Sequence, residues 1–128
     1  MSTDPPNEIA IGDEDELYKR LPPNLCVDGK PTAGIWRLKG KPDPEPSVDL
    51  ARLTTPETVL AGAKGRPGFG VGKITVKDAK DLGFTVVSRP ELGNDAHCIL
   101  VGENSIQKTR DLAERTKVVI APESPLKS

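Results

Sequence analysis

Twelve consecutive residues, Pro46 to Glu57, leave the backbone few choices. Ser47-Val-Asp-Leu-Ala-Arg-Leu53 alternates Val48, Leu50 and Leu53 with Asp49 and Arg52, which predicts a short strand over residues 47–53 whose period slips near Ala51. A helix start follows at once. Thr54 or Thr55 can cap it, Pro56 sits near the first helical position where its missing N–H costs nothing, and Glu57 stands three residues after Thr54, as a capping box requires. A strand must therefore hand over directly to a short helix at residues 55–61.

The flanking chain is punctuated too often for a helical bundle, with thirteen Pro and twelve Gly in 128 residues. Residues 17–21 predict a strand that Pro22-Pro23 ends. Asp28-Gly29 predicts a hairpin turn, with residues 32–39 as the returning strand and Trp36 and Leu38 on its buried face. The alternating Pro and acid segment 41–46 is expected to be extended and exposed. Residues 62–72 form a Gly-rich loop leading into a strand through Phe69, Val71 and Ile74. Thr75 caps a second helix at 76–82, with Asp78 at its third position and Gly83 as its stop. Strands are expected at 84–88, 96–101 and 118–121, and a helix capped by Ser105 runs to about Thr116 with Ile106, Thr109, Leu112 and Ala113 on one stripe. Strands followed by strands interleaved with short helices make an α+β domain, with a mixed or mostly antiparallel sheet, two or three short helices and no internal repeat.

A chain of this length supports one domain with one core, here an aliphatic one, since Tyr18, Trp36, Phe69 and Phe84 are its only aromatic residues. The net charge of −1 conceals an asymmetry. Residues 1–16 carry six acids and no base, which leaves thirteen acids against eighteen bases, a net of +5, in the remainder. Residues 1–14 are expected to be a disordered acidic leader, because Ile9 and Ile11 alone cannot offset the entropy of ordering fourteen residues. Residues 15–122 are the domain and 123–128 a flexible tail. Cys26 and Cys98 are remote from each other and are read as reduced; with one His in the chain they make no metal ligand set. No apolar run reaches the length of a membrane span, and no signal peptide is evident, so a soluble cytoplasmic protein is expected.

Several residues carry possible chemistry. Lys64-Gly-Arg-Pro-Gly-Phe-Gly-Val-Gly-Lys73 has the glycines and flanking cations of a phosphate-cradling loop, with Arg66 and Lys73 as its binding residues, but it matches neither nucleotide fingerprint and continues into a strand. His97 is the only side chain whose ordinary pKa lies near neutrality, hence the candidate acid–base, with Asp49 and Ser47 within reach if their strands pair. Arg20 is a candidate anion ligand, and Trp36 a candidate anchor for a partner. Lys64, Arg66, Lys73, Lys77 and Lys80 could form a patch for nucleic acid, although only Phe69 is interleaved to stack on a base.

The segments Leu17-Tyr-Lys-Arg20, Asp28-Gly-Lys-Pro31, Ser47-Val-Asp49, Leu53-Thr-Thr-Pro-Glu57 and Asn94-Asp-Ala-His97 resemble the motifs of a family of small uncharacterised bacterial proteins. The resemblance spans most of residues 16–102 and singles out Arg20, Ser47, Asp49 and His97. It implies an intact domain in a bacterial cytosol and carries no activity. With no complete catalytic or cofactor motif, the sequence reads first as a non-catalytic binding or accessory module without a cofactor, whose partner is another protein rather than nucleic acid or a membrane. The second reading is a small enzyme acting on a phosphorylated or nucleotide-like substrate through Arg20, Asp49 and His97.

Overall fold

Strand alternation sets up both faces of the molecule. In the computed structural model, which describes residues 10–123, β1 (Glu16–Leu21) turns the fully buried Leu17 and Leu21 to one face and Tyr18 and Arg20 to the other. After Pro22 come a 3-10 turn (Pro23–Leu25) and a two-strand ribbon, β2 (Cys26–Val27) and β3 (Lys30–Pro31). Asp28 and Gly29 close this ribbon at φ of 52° and 76°, the left-handed pair that a type I′ hairpin turn requires.

The strand expected over residues 32–39 does not form. The Thr32 hydroxyl donates to the Leu25 carbonyl at 2.7 Å and accepts from the Gly34 N–H, so it caps a 3-10 helix, Ala33–Trp36, in place of extended backbone. Helical backbone buries Ile35 and Trp36 together and leaves Leu38 exposed, where alternation would have paired Trp36 with Leu38. Only Arg37–Leu38 (β4) is extended, and it pairs with β5 (Lys41–Pro42) across a second left-handed turn at Lys39-Gly40. Segment 41–46 thus begins in a ribbon, exposes Lys41, Pro44 and Glu45 as expected, and departs from that expectation at its end, where Pro46 is buried.

β6 (Ser47–Leu50) stops where the period slips, and Ala51–Leu53 closes into a 3-10 turn. α1 (Pro56–Ala61) is capped by Thr55, whose hydroxyl accepts from the Thr58 N–H; the alternative box from Thr54 to Glu57 is not the one formed. β7 (Gly70–Thr75) runs into α2 (Val76–Asp81) through a full capping box between Thr75 and Asp78. β8 (Thr85–Ser88), β9 (His97–Val101), α3 (Ile106–Arg115) capped by Ser105, and β10 (Lys117–Ile120) complete the chain.

The six long strands form one sheet in the order β10-β7-β1-β6-β9-β8, and each neighbouring pair is antiparallel. Leu17 stands opposite both Leu50 and Ile74, and Val48 opposite Cys98, so one face is a continuous apolar layer. The 3-10 helix with Trp36, α2 with Ala79 and α3 with Leu112 cover that face. The other face carries α1 at one end and is partly covered elsewhere, burying Val71 and Ile99, with a cleft around Tyr18, Asp49 and His97. This is the expected α+β architecture, and it leaves part of one sheet face available for function.

The folded unit starts no later than Ala10, earlier than the leader boundary expected at residue 14. Ile11 packs on the core, the Asp13 carboxylate lies 2.7 Å from Lys80 Nζ, and the Ala10 carbonyl accepts from Arg52. The leader over residues 1–9 and the tail over 124–128 lie outside the described residues. Among the described residues no helix is long and apolar enough to cross a membrane.

Candidate functional site

Register brings together residues that lie far apart in the chain. Tyr18 on β1 stands opposite Asp49 on β6, and Asp49 stands opposite His97 on β9, so the three side chains form one row across the face that carries α1. Two positions along β1 from Tyr18, Arg20 projects from the same face. The row floors a cleft of about 770 Å³, walled on one side by the Glu91–Asn94 turn and on the other by Pro23, Arg66 and Phe69. Arg20, Ser47, Asp49, Arg66 and His97, all singled out from sequence, line this one cleft.

Each of these groups is held differently. Asp49 is only 8% exposed, and its Oδ1 accepts from Asn94 Nδ2 at 2.8 Å. The Asn94 side-chain oxygen accepts in turn from the Ala96 N–H. His97, with 12% of its side chain exposed, holds the Arg89 carbonyl at 2.7 Å through Nδ1, so Nδ1 carries the hydrogen and Nε2 is the acceptor of the neutral ring, 3.9 Å from Glu91. The imidazole is therefore oriented by a main-chain carbonyl, while the hydrogen-bond partner of Asp49 is Asn94.

The two cleft arginines are cations without a matching acid. Arg20 Nη1 makes one long bond, 3.5 Å, to the Val59 carbonyl at the end of α1, and Arg66 Nε bonds the Ala63 carbonyl at 2.8 Å while its guanidinium lies 4.8 Å from the Phe69 ring centre. Among the described residues no carboxylate lies within ion-pair distance of either guanidinium. Most of their five fixed donors stay available. Gly62 makes the arrangement possible. A Cβ at this position would stand 2.4 Å from Arg20 Nη1, so the guanidinium occupies the space a side chain would take.

Two residues expected at a site lie elsewhere. Trp36 has no exposed surface, and its indole N–H donates to the Thr116 hydroxyl at 3.4 Å, so the 3-10 helix makes it a core residue and not a surface anchor. Lys73, on β7, is paired with Glu16 at 2.9 Å outside the cleft. The basic patch of the sequence is likewise broken up by acids, since Lys77 pairs with Asp81 and Lys80 with Asp13. Sequence reasoning missed Tyr18, Asn94 and Lys19. The alternation of Leu17, Lys19 and Leu21, which sets a lysine on the apolar face, was the signal for the last. Among the described residues no group of three or more His, Cys, Asp or Glu is placed to hold a metal ion. No family model, curated protein or solved structure matches the chain.

Proposed function

We propose that this protein is a non-catalytic binding module whose cleft takes a small polar molecule bearing a phosphate or carboxylate. The observation that carries this reading is the pair of guanidiniums, Arg20 and Arg66, which line one concave site without a carboxylate partner among the described residues. Guanidinium forks match such anions in shape and charge. Asp49, in the same cleft, offers an acceptor for a hydroxyl or amine of the same ligand, and the concave shape favours a small molecule over a protein surface. Two free cysteines support the cytoplasmic setting.

Calorimetric titration with inorganic phosphate and with adenosine monophosphate tests the reading. Saturable binding is expected, weakened by Arg20→Gln and by Arg66→Gln by at least about tenfold each, since a hydrogen bond to a charged group contributes about 1.5–3 kcal/mol. Absence of binding, or binding that both variants retain unchanged, would rule the reading out.

The tautomer of His97 favours a second reading, an enzyme acting on a phosphorylated or nucleotide-like substrate. With Nδ1–H committed to Arg89, the Nε2 lone pair is available as a general base. Release of phosphate from the mononucleotide, lost in His97→Gln while phosphate binding persists, would establish it. Binding without turnover returns the first reading.

A further inference from the structure

Lys19 is the cation this fold treats most unusually. It lies on the apolar face of β1 between the fully buried Leu17 and Leu21, its Nζ is 5.0 Å from the ring centre of the buried Trp36, and its one hydrogen bond goes to the Ser47 carbonyl at 3.0 Å. Among the described residues no carboxylate pairs with it. A lysine retained only for charge would sit at the exposed surface or beside an acid, as Lys73 and Lys80 do. Lys19 leaves β1 on the face opposite Arg20, yet it is among the residues that line the cleft holding Arg20 and Arg66, and the Ser47 carbonyl that its Nζ meets belongs to a lining residue of that cleft as well.

We infer that Lys19 is an imine-forming amine, and that the cleft captures small carbonyl compounds carrying an anionic group, the aldehyde or ketone joining Lys19 while the anion rests on the arginines. The anion half of this inference rests on the reading proposed above; the amine half rests on the placement of Lys19. In the reaction the neutral nitrogen adds to the carbonyl carbon, both amine protons pass to the oxygen, which leaves as water, and a C=N bond replaces the C=O. No oxidant or reductant is consumed, and hydrolysis reverses the step. Burial favours the neutral nucleophile. It pushes the Lys19 ammonium from the ordinary 10.5 down to about 8, against the pull of Asp43 and Asp49 and with a push from Arg20, so near neutrality more of the amine is free than on an ordinary lysine.

Pyridoxal 5′-phosphate is the probe: the full chain is incubated with it, reduced with borohydride and mapped by peptide mass spectrometry. Lys19 is expected to be labelled at least about tenfold faster than the exposed Lys64, Lys77 and Lys117, with inorganic phosphate slowing it, and Lys19→Arg is expected to keep phosphate binding and form no adduct at this position. Labelling of Lys19 no faster than of the exposed lysines would overturn the inference, even if phosphate binds as proposed. Fast labelling by pyridoxal and its phosphate alike, with no protection by phosphate, would keep the amine and overturn the anion reading. Melting of Lys19→Arg close to the unmodified chain excludes misfolding as the cause of a lost adduct.

Discussion

Gly62 and Lys19 show how single positions shape the cleft. The φ of Gly62, −65°, suits alanine, but the added Cβ would meet Arg20 Nη1 at 2.4 Å, and a flexible guanidinium moves more easily than backbone. Gly62→Ala should therefore leave the melting temperature within a few degrees of the unmodified chain while weakening phosphate binding several-fold, as calorimetry would record. Lys19 makes a pH prediction whose sign follows from its lowered pKa. The charged form is disfavoured in the folded state, so below about pH 8 Lys19 carries a cost that disappears as pH rises from 8 through the unfolded-state value. The stability of the unmodified chain relative to Lys19→Met should thus increase between pH 7.5 and 10; a difference that stays flat would contradict it. His97 was legible in the sequence because it is the only histidine, and Arg20 and Asp49 because the segments Leu17-Tyr-Lys-Arg20 and Ser47-Val-Asp49 singled them out. Tyr18 was not, since nothing in a lone tyrosine tells which strand will stand opposite it.

Caps and close backbone approaches decide the elements. Thr75→Ala removes the hydroxyl half of the capping box that starts α2, while the residue-75 N–H still donates to the Asp78 carboxylate, and should cost about 1 kcal/mol, a fall of roughly 4 °C in melting temperature. Gly70→Ala is the harsher change. Its Cβ would lie 2.3 Å from the Ile120 carbonyl and 2.6 Å from the Pro122 nitrogen, both backbone atoms that cannot swing aside as Arg20 can. Overpacking of this kind costs about 1–3 kcal/mol, or roughly 4–12 °C by thermal melting. The helix starts at Thr55, Thr75 and Ser105 and the hairpin at Asp28-Gly29 were readable because each depends on a few adjacent residues. Residues 32–39 misled because the bond that bends them, from the Thr32 hydroxyl to the Leu25 carbonyl, comes from outside the segment.

At the scale of the molecule, an antiparallel sheet with helices gathered mainly on one face leaves the other face to hold a ligand. The opposite, covered side of the fold is fastened by residues the sequence assigned to a loose leader. Ile11 packs on the core, Asp13 pairs with Lys80, and Gly12 donates its N–H to Asp15 of the domain, whose carboxyl that bond and Arg52 together hold below the usual carboxylate range. Removing residues 1–14 should consequently lower the melting temperature by several degrees at pH 7. The part due to the lost Gly12 N–H bond to Asp15 should vanish as pH falls through the lowered pKa of Asp15. Hydrophobicity alone could not reveal this attachment, because polar contacts supply most of it. The cleft itself emerges only from strand order, which sets β1, β6 and β9 side by side and so joins residues 18, 49 and 97. The most direct test of that assembly is a map of amide chemical shifts for the full chain titrated with inorganic phosphate. The account predicts saturable shifts concentrated at residues 18–20, 47–49, 62–69 and 91–97. Shifts centred instead on Lys30, Arg110 and Lys117, or none that saturate, would contradict it.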